Sequence, residues 1–115
     1  MRQILAKEQL SEKALNRMNS FHADVVADVQ KAIREEKVVV VGMAQNPFVK
    51  KARNLLTEKN MKFKYIEHGS YFSQWRQRLA IKLWSGWPTF PQVFVDGRLI
   101  GGHDELVEFL ANLKN

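Results

Sequence analysis

Apolar positions along the chain change period several times, and each change marks an element. Phe21, Val25, Val29 and Ile33 recur every fourth residue, with Val26 beside them and Asp24 and Asp28 on other faces, which predicts a helix over about 20–35 with one stripe turned to a core. Val38-Val39-Val40-Val41 follows, a short β-branched run bounded by Lys37 and Gly42, which predicts a strand buried on both faces. Gly42 to Gln45 is a loop. Asn46-Pro47 then opens a helix, because asparagine caps and proline suits the first helical position. That helix is expected to carry Phe48, Val49, Ala52, Leu55 and Leu56 inward, Lys50, Lys51 and Arg53 outward, and to end near Asn60. Phe63, Tyr65 and Ile66 predict a second strand. After a loop over 67–70, Ser70 is the expected cap of a helix with Phe72, Trp75, Leu79 and Leu83 on its core face.

The stretch Trp87-Pro88-Thr89-Phe90-Pro91-Gln92 breaks the periodicity, since neither proline can donate to a helix or a central strand. Val93-Phe94-Val95, Asp96-Gly97 and Leu99-Ile100 come next. Asp-Gly between two apolar runs predicts an antiparallel hairpin, because its turn needs positive φ at both central residues. Gly101-Gly102 closes the hairpin and opens a last helix with Leu106, Phe109, Leu110 and Leu113 on one face, Asp104 and Glu105 in its first turn and Lys114 in its last. At the other end, residues 1–19 carry weak periodicity. Leu10, Ala14 and Met18 share a helical face, Ser11-Glu12 can start a turn, and Asn16 to Ser20 interrupts it, so the segment reads as a short helix or a loosely attached arm. The implied division is an N-terminal helical extension over 1–19 and a domain over 20–115. A strand-helix-strand unit followed by a hairpin gives an α/β fold with a four-stranded mixed sheet and helices on both faces.

Composition narrows the chemistry more than it changes the fold. The 115 residues contain no cysteine, which removes disulfides, thiolate metal sites, thiol catalysis and cysteine-ligated clusters from this chain acting alone. The net charge of +6 leans toward anionic partners, but basic residues occur only as Lys50-Lys51, Arg53 and the set Arg76, Arg78 and Lys82, so a solvated surface accounts for them. His22, His68 and His103 lack the spacing of a metal motif, and no serine sits in a motif that would activate it. Met1 to Glu8 turns charged too early for a signal peptide, and no run is long enough to span a bilayer, so the expected setting is cytoplasmic.

Thr89-Phe90-Pro91 before the third strand and Gly101-Gly102-His103-Asp104 after the fourth, within this element order, resemble the glutaredoxins of the thioredoxin fold. The resemblance spans about 22–113, and the run from Arg78 to Gln92 is most similar to the monothiol class. It implies a cis peptide before Pro91, which leaves the Phe90 backbone free to pair with the cysteinyl part of glutathione. It implies that Gly102, His103 and Asp104 meet the γ-glutamyl end, and that Arg78 and Lys82 stand near the glycyl carboxylate, with Thr89 in the same groove. The departure is at the nucleophile. Where the family places cysteine at a helix start, this chain has Asn46, and Val49 takes the second cysteine's position. Asn46 is thus at the nucleophile position with no catalytic residue and no metal ligand in its place. Cluster chemistry fails for the same reason as thiol exchange.

The reading that follows is a glutaredoxin-like domain without thiol-disulfide or iron-sulfur chemistry that keeps a degenerate glutathione-type groove. No cofactor is required, and glutathione or a peptide of similar shape is the implied ligand. The alternative is a non-catalytic protein-interaction or regulatory module of the same fold. A third reading, binding of an acidic protein or nucleic acid through the basic surface, has the weakest support, and nothing points to a membrane.

Overall fold

The computed structural model describes residues 3–113. After a short 3-10 turn at Lys7–Gln9 come α1 (Glu12–Ser20), α2 (Ala23–Glu35), β1 (Val38–Gly42), α3 (Pro47–Glu58), β2 (Lys64–Glu67), α4 (Trp75–Ser85), β3 (Gln92–Val95), β4 (Arg98–Gly101) and α5 (His103–Ala111). The sheet order is β2-β1-β3-β4. β1 pairs parallel with β2 and antiparallel with β3, and β3 pairs antiparallel with β4, so the crossover through α3 and the hairpin both form as expected.

The valine run holds the two layers together because successive strand side chains point to opposite faces. Val39 and Val41 pack with Val25, Val29 and Ala32 of α2, Ile81 of α4 and Phe94. Val38 and Val40 pack with Ala52 and Leu56 of α3, Leu106 of α5, and Val93 and Val95. All of β1 is buried, and each fully buried valine contributes on the order of 1.5 kcal/mol of apolar transfer. Asp96 and Gly97 take φ of 51° and 80°, the left-handed values that a two-residue hairpin turn requires.

Several expectations are corrected. α1 runs unbroken through Asn16 to Ser20; the Ser11 hydroxyl accepts from the Ala14 amide at 3.1 Å, and the helix buries none of its residues. Phe21 stands between α1 and α2 rather than on the α2 stripe. α5 ends at Ala111, so Leu113 lies past it and is exposed; Lys114 falls outside the described residues.

The largest correction concerns α4. Ser70 does not cap it; Gln74, in the left-handed region, precedes its first turn, and Ser70 pairs with Ser73 in a tight turn. The buried residues are Arg78, Ala80 and Ile81, whereas Phe72, Trp75 and Leu83 are exposed. The helix carries apolar residues on two sides, and α2 packs against the side of Ile81 and Trp84. Periodicity located a stripe; the competing stripe is the one that folding buries.

Candidate functional site

The C-terminal end of β1 opens into the loop that leads to α3. Backbone bonds from Ala44 N to Gly69 O (2.7 Å) and from His68 N to Gly42 O (2.9 Å) tie this loop to the one after β2. Asn46 then caps α3: its Oδ1 accepts from the amides of Phe48 at 2.9 Å and Val49 at 3.1 Å. On the other side of the opening, the peptide before Pro91 is cis, as the resemblance implied. β4 ends at Gly101, and the Gly102 amide donates to Glu105 Oε1 at 2.9 Å as α5 begins. The remaining first-turn amides of α5 have no acceptor within the helix.

These elements enclose a cleft of about 420 Å³. Lys82, Thr89, Phe90, Pro91, Gly102, His103 and Asp104 all line it, and Asn46 lies on the same wall as Met43. Residues far apart in the sequence are therefore brought together in one cleft. Lys82 is positioned by the Phe90 ring, with Nζ 5.6 Å from its centroid. His103 Nδ1 and Asp104 Oδ1 lie 3.1 Å apart.

Arg78 does not join them, and its expected place beside Lys82 is corrected. Its side chain is buried, and Nη1 donates to the carbonyls of His68 at 2.9 Å and Ser73 at 2.6 Å. A guanidinium can satisfy two loop carbonyls at once, so this one holds the 68–73 loop against α4.

Phe48, Tyr71 and Glu105 line the cleft without having been singled out for it, and Trp87, next to the prolines, joins them as a groove wall. Phe48, expected in the core, is half exposed at 51%; its ring centroid lies 6.2 Å from that of His103, so the two helix starts face each other across the opening. Its place as the second residue of α3, beside the cap, was a readable sign that it sits at the rim. Trp87 is held by its amide donating to Ser85 Oγ (3.1 Å) and by its carbonyl accepting from Gln92 Nε2 (3.0 Å). Its indole Nε1 is buried with no acceptor, a donor facing this corner of the site. A Cβ added at Gly102 would lie 3.3 Å from the Pro91 carbonyl and 3.6 Å from that indole nitrogen, so the backbone approach here is close.

A larger cavity of about 590 Å³ lies between α3 and the edge strand β2. It shares Asn46 and Met43 with the cleft, and three of its lining side chains engage one another. The Arg53 guanidinium stacks 3.8 Å above the Tyr65 ring, and the Tyr65 hydroxyl donates to Glu67 at 2.9 Å. Burial, and then the Glu67 carboxylate, push that hydroxyl well above its ordinary pKa. Near the cleft's loop, burial pushes the His68 imidazole below its ordinary value, against the opposing pull of Gln74, Asp28 and Asp24. Among the described residues no group of three histidines and carboxylates could hold a metal ion, and no helix is long and apolar enough to cross a membrane.

A sequence model of the family described as Glutaredoxin matches residues 38–100. A glutaredoxin-like protein of Dictyostelium discoideum is 51% identical over 109 residues, covering 95% of this chain and 87% of its own length. Glutaredoxin-3 of Homo sapiens is 36% identical over 74 residues; the match takes in 62% of this chain but spans only 21% of the human protein. Among solved structures, a buckwheat glutaredoxin-glutathione complex superposes with a TM-score of 0.68 over 90% of this chain and 87% of that one. Its 19% identity makes that a likeness of fold.

Proposed function

The chain belongs to the glutaredoxin family, and from that premise we propose that it is a binding member of the family, holding glutathione or a peptide of similar shape without redox chemistry. The observation that carries the proposal is the single cleft that Lys82, Thr89, Phe90, Pro91, Gly102, His103 and Asp104 line together with Asn46. The chemistry of each wall suits one part of such a ligand. Lys82 offers a cation to a terminal carboxylate. The first-turn amides of α5 suit the other carboxylate, and Asp104 suits the adjacent ammonium. The Phe90 backbone, beside Pro91, suits the extended middle of a peptide, and the unpartnered Trp87 indole N–H adds a buried donor.

Thiol-disulfide exchange requires a thiolate that attacks sulfur, and an asparagine amide is neither nucleophile nor redox group. The chain has no cysteine at any position. An iron-sulfur cluster is also a poor fit to this donor set, since such clusters are held by thiolates and the only sulfur lining the cleft is the Met43 thioether. The proposal is tested by NMR titration of the full chain with reduced and with oxidised glutathione. Saturable shifts at Phe90, Gly102, His103 and Asp104 are expected; unchanged spectra at millimolar ligand would remove the groove reading. A non-catalytic protein-interaction role is the second reading, favoured by the exposed aromatic side chains beside the cleft.

A further inference from the structure

The outer face of α4 carries Trp75 and Leu83, both exposed, with the half-buried Leu79 between them. Trp75, Leu79 and Leu83 are spaced by four, so they follow one another along one side of the helix. Trp75 is 59% and Leu83 68% exposed, while Arg78, Ala80 and Ile81 fill the buried side. Phe72, 93% exposed, extends the stripe beyond the helix start. A contiguous apolar strip on a folded surface marks an interaction site.

The strip is held rigidly. Ser70 and Ser73 bridge the turn that presents Phe72, the Phe72 amide donates to Ser70 Oγ at 3.3 Å, and Arg78 Nη1 clamps the Ser73 carbonyl from beneath. Preorganisation of this kind lowers the entropy lost on docking.

Charge indicates what docks there. Arg76 borders the strip on one side, its guanidinium 5.5 Å from the Trp75 ring and 5.1 Å from that of Phe21, and Lys82 borders it on the other. No aspartate or glutamate occurs between Glu67 and Asp96, so α4 and its flanking loops carry cations alone. We infer that this face docks an acidic amphipathic helix of a partner protein, its apolar ridge laid along Phe72, Trp75, Leu79 and Leu83 and its carboxylates meeting Arg76 and Lys82. Helix ridges pack along rows of this spacing. A second copy of the chain would bring the same cations against themselves, and Leu79 and Leu83, aliphatic and one turn apart, suit the apolar ridge of a helix better than they suit stacked bases. Lys82 also lines the cleft, so the docked helix would border any ligand held there.

The test uses the full chain, isotope-labelled, and a synthetic amphipathic peptide of about 18 residues, long enough to hold helix when docked, with leucines on one face and glutamates on both flanks. Saturable shifts at the Trp75 indole and the Leu83 methyls are expected. Leu83→Gln and Arg76→Glu, both at surface positions, are expected to weaken binding about tenfold with the fold intact by circular dichroism. The same peptide with lysine for glutamate is expected to leave the spectrum unchanged. Equal binding of the lysine peptide, or no shift with the acidic one, overturns the inference. So does engagement of the strip by phosphatidylserine vesicles or by oligothymidine in place of the acidic peptide, and so do concentration-dependent shifts of the chain alone that map to the strip. A chain that shifts with glutathione but not with the peptide loses this inference and keeps the cleft; the converse separates them the other way.

Discussion

Arg78 and Lys82 stand one helical turn apart on α4, yet their cations serve different ends: Arg78 holds the carbonyls of His68 and Ser73 inside the fold, while Lys82 opens onto the cleft over the Phe90 ring. The two residues therefore separate stability from binding. Arg78→Met leaves two loop carbonyls without their charged donor and is expected to lower stability by about 3 kcal/mol in urea unfolding. Lys82→Met is expected to leave the unfolding midpoint in place and to weaken the NMR response to glutathione. The reverse pattern would show that the assignment of these two side chains is wrong.

Asn46 joins the site to the stability of α3. Its Oδ1 accepts from two first-turn amides, so Asn46→Ala is expected to lower stability by about 1 kcal/mol, read as a shift in the thermal midpoint. Asn46→Cys places a thiol at the same helix start. Its pKa is expected below the roughly 8.5 of a free cysteine, because the helix terminus favours the thiolate. Titration of thiolate absorbance measures it directly, and an ordinary or raised value would contradict the placement of residue 46 at an open helix tip.

Gly101 adopts a φ of +126°, and a Cβ there would come within 2.5 Å of Glu105 Cγ. Glu105 in turn holds the Gly102 amide at the start of α5. Gly101→Ala is therefore expected to cost on the order of 2 kcal/mol through strain and through displacement of that carboxylate. Hydrogen exchange should quicken first at Gly102 and His103. Wild-type exchange and stability in this variant would mean that the β4–α5 junction tolerates a side chain.

The pH dependence follows from His68. Burial holds its imidazole below the ordinary value of 6.5, so between that value and the depressed one the unfolded chain binds more protons than the folded chain. Stability from this group is complete above the unfolded pKa and declines as pH falls below it. The thermal midpoint is expected to drop from pH 7.5 toward pH 5.5, and His68→Gln, which cannot be protonated in that range, is expected to flatten the drop. An equal slope in both proteins would place its origin elsewhere.

The architecture was legible wherever local chemistry left one solution. Val38 to Val41, Asn46-Pro47 and Asp96-Gly97 each have a single good conformation, and each adopted it. α4 was not legible in the same way. Spacing shows that Trp75, Leu79 and Leu83 share a side, but two sides of this helix are apolar, and the choice depends on Val39, Val41 and Phe94 arriving from other elements. Arg78 was misplaced for a related reason: a cation on a helix reads as solvent-facing until the loop carbonyls that it satisfies are in view. Phe48 reads as core by residue type and lies at the rim by position. Most of the cleft residues that were found, and Trp87 with them, lay next to the prolines and glycines that bend the backbone, whereas Tyr71 reaches the same space from the loop in which Ser70 read as a helix cap.

The cap at Asn46 has a bearing on any sulfur that arrives with a visitor. The two amides that would cradle a negative charge at this tip already donate to the chain's own carbonyl oxygen, so a guest thiol meets an occupied doorway. Should the proposed ligand bind, its sulfur would get no help from this helix start in shedding a proton, since the amides that could offer it are already spoken for.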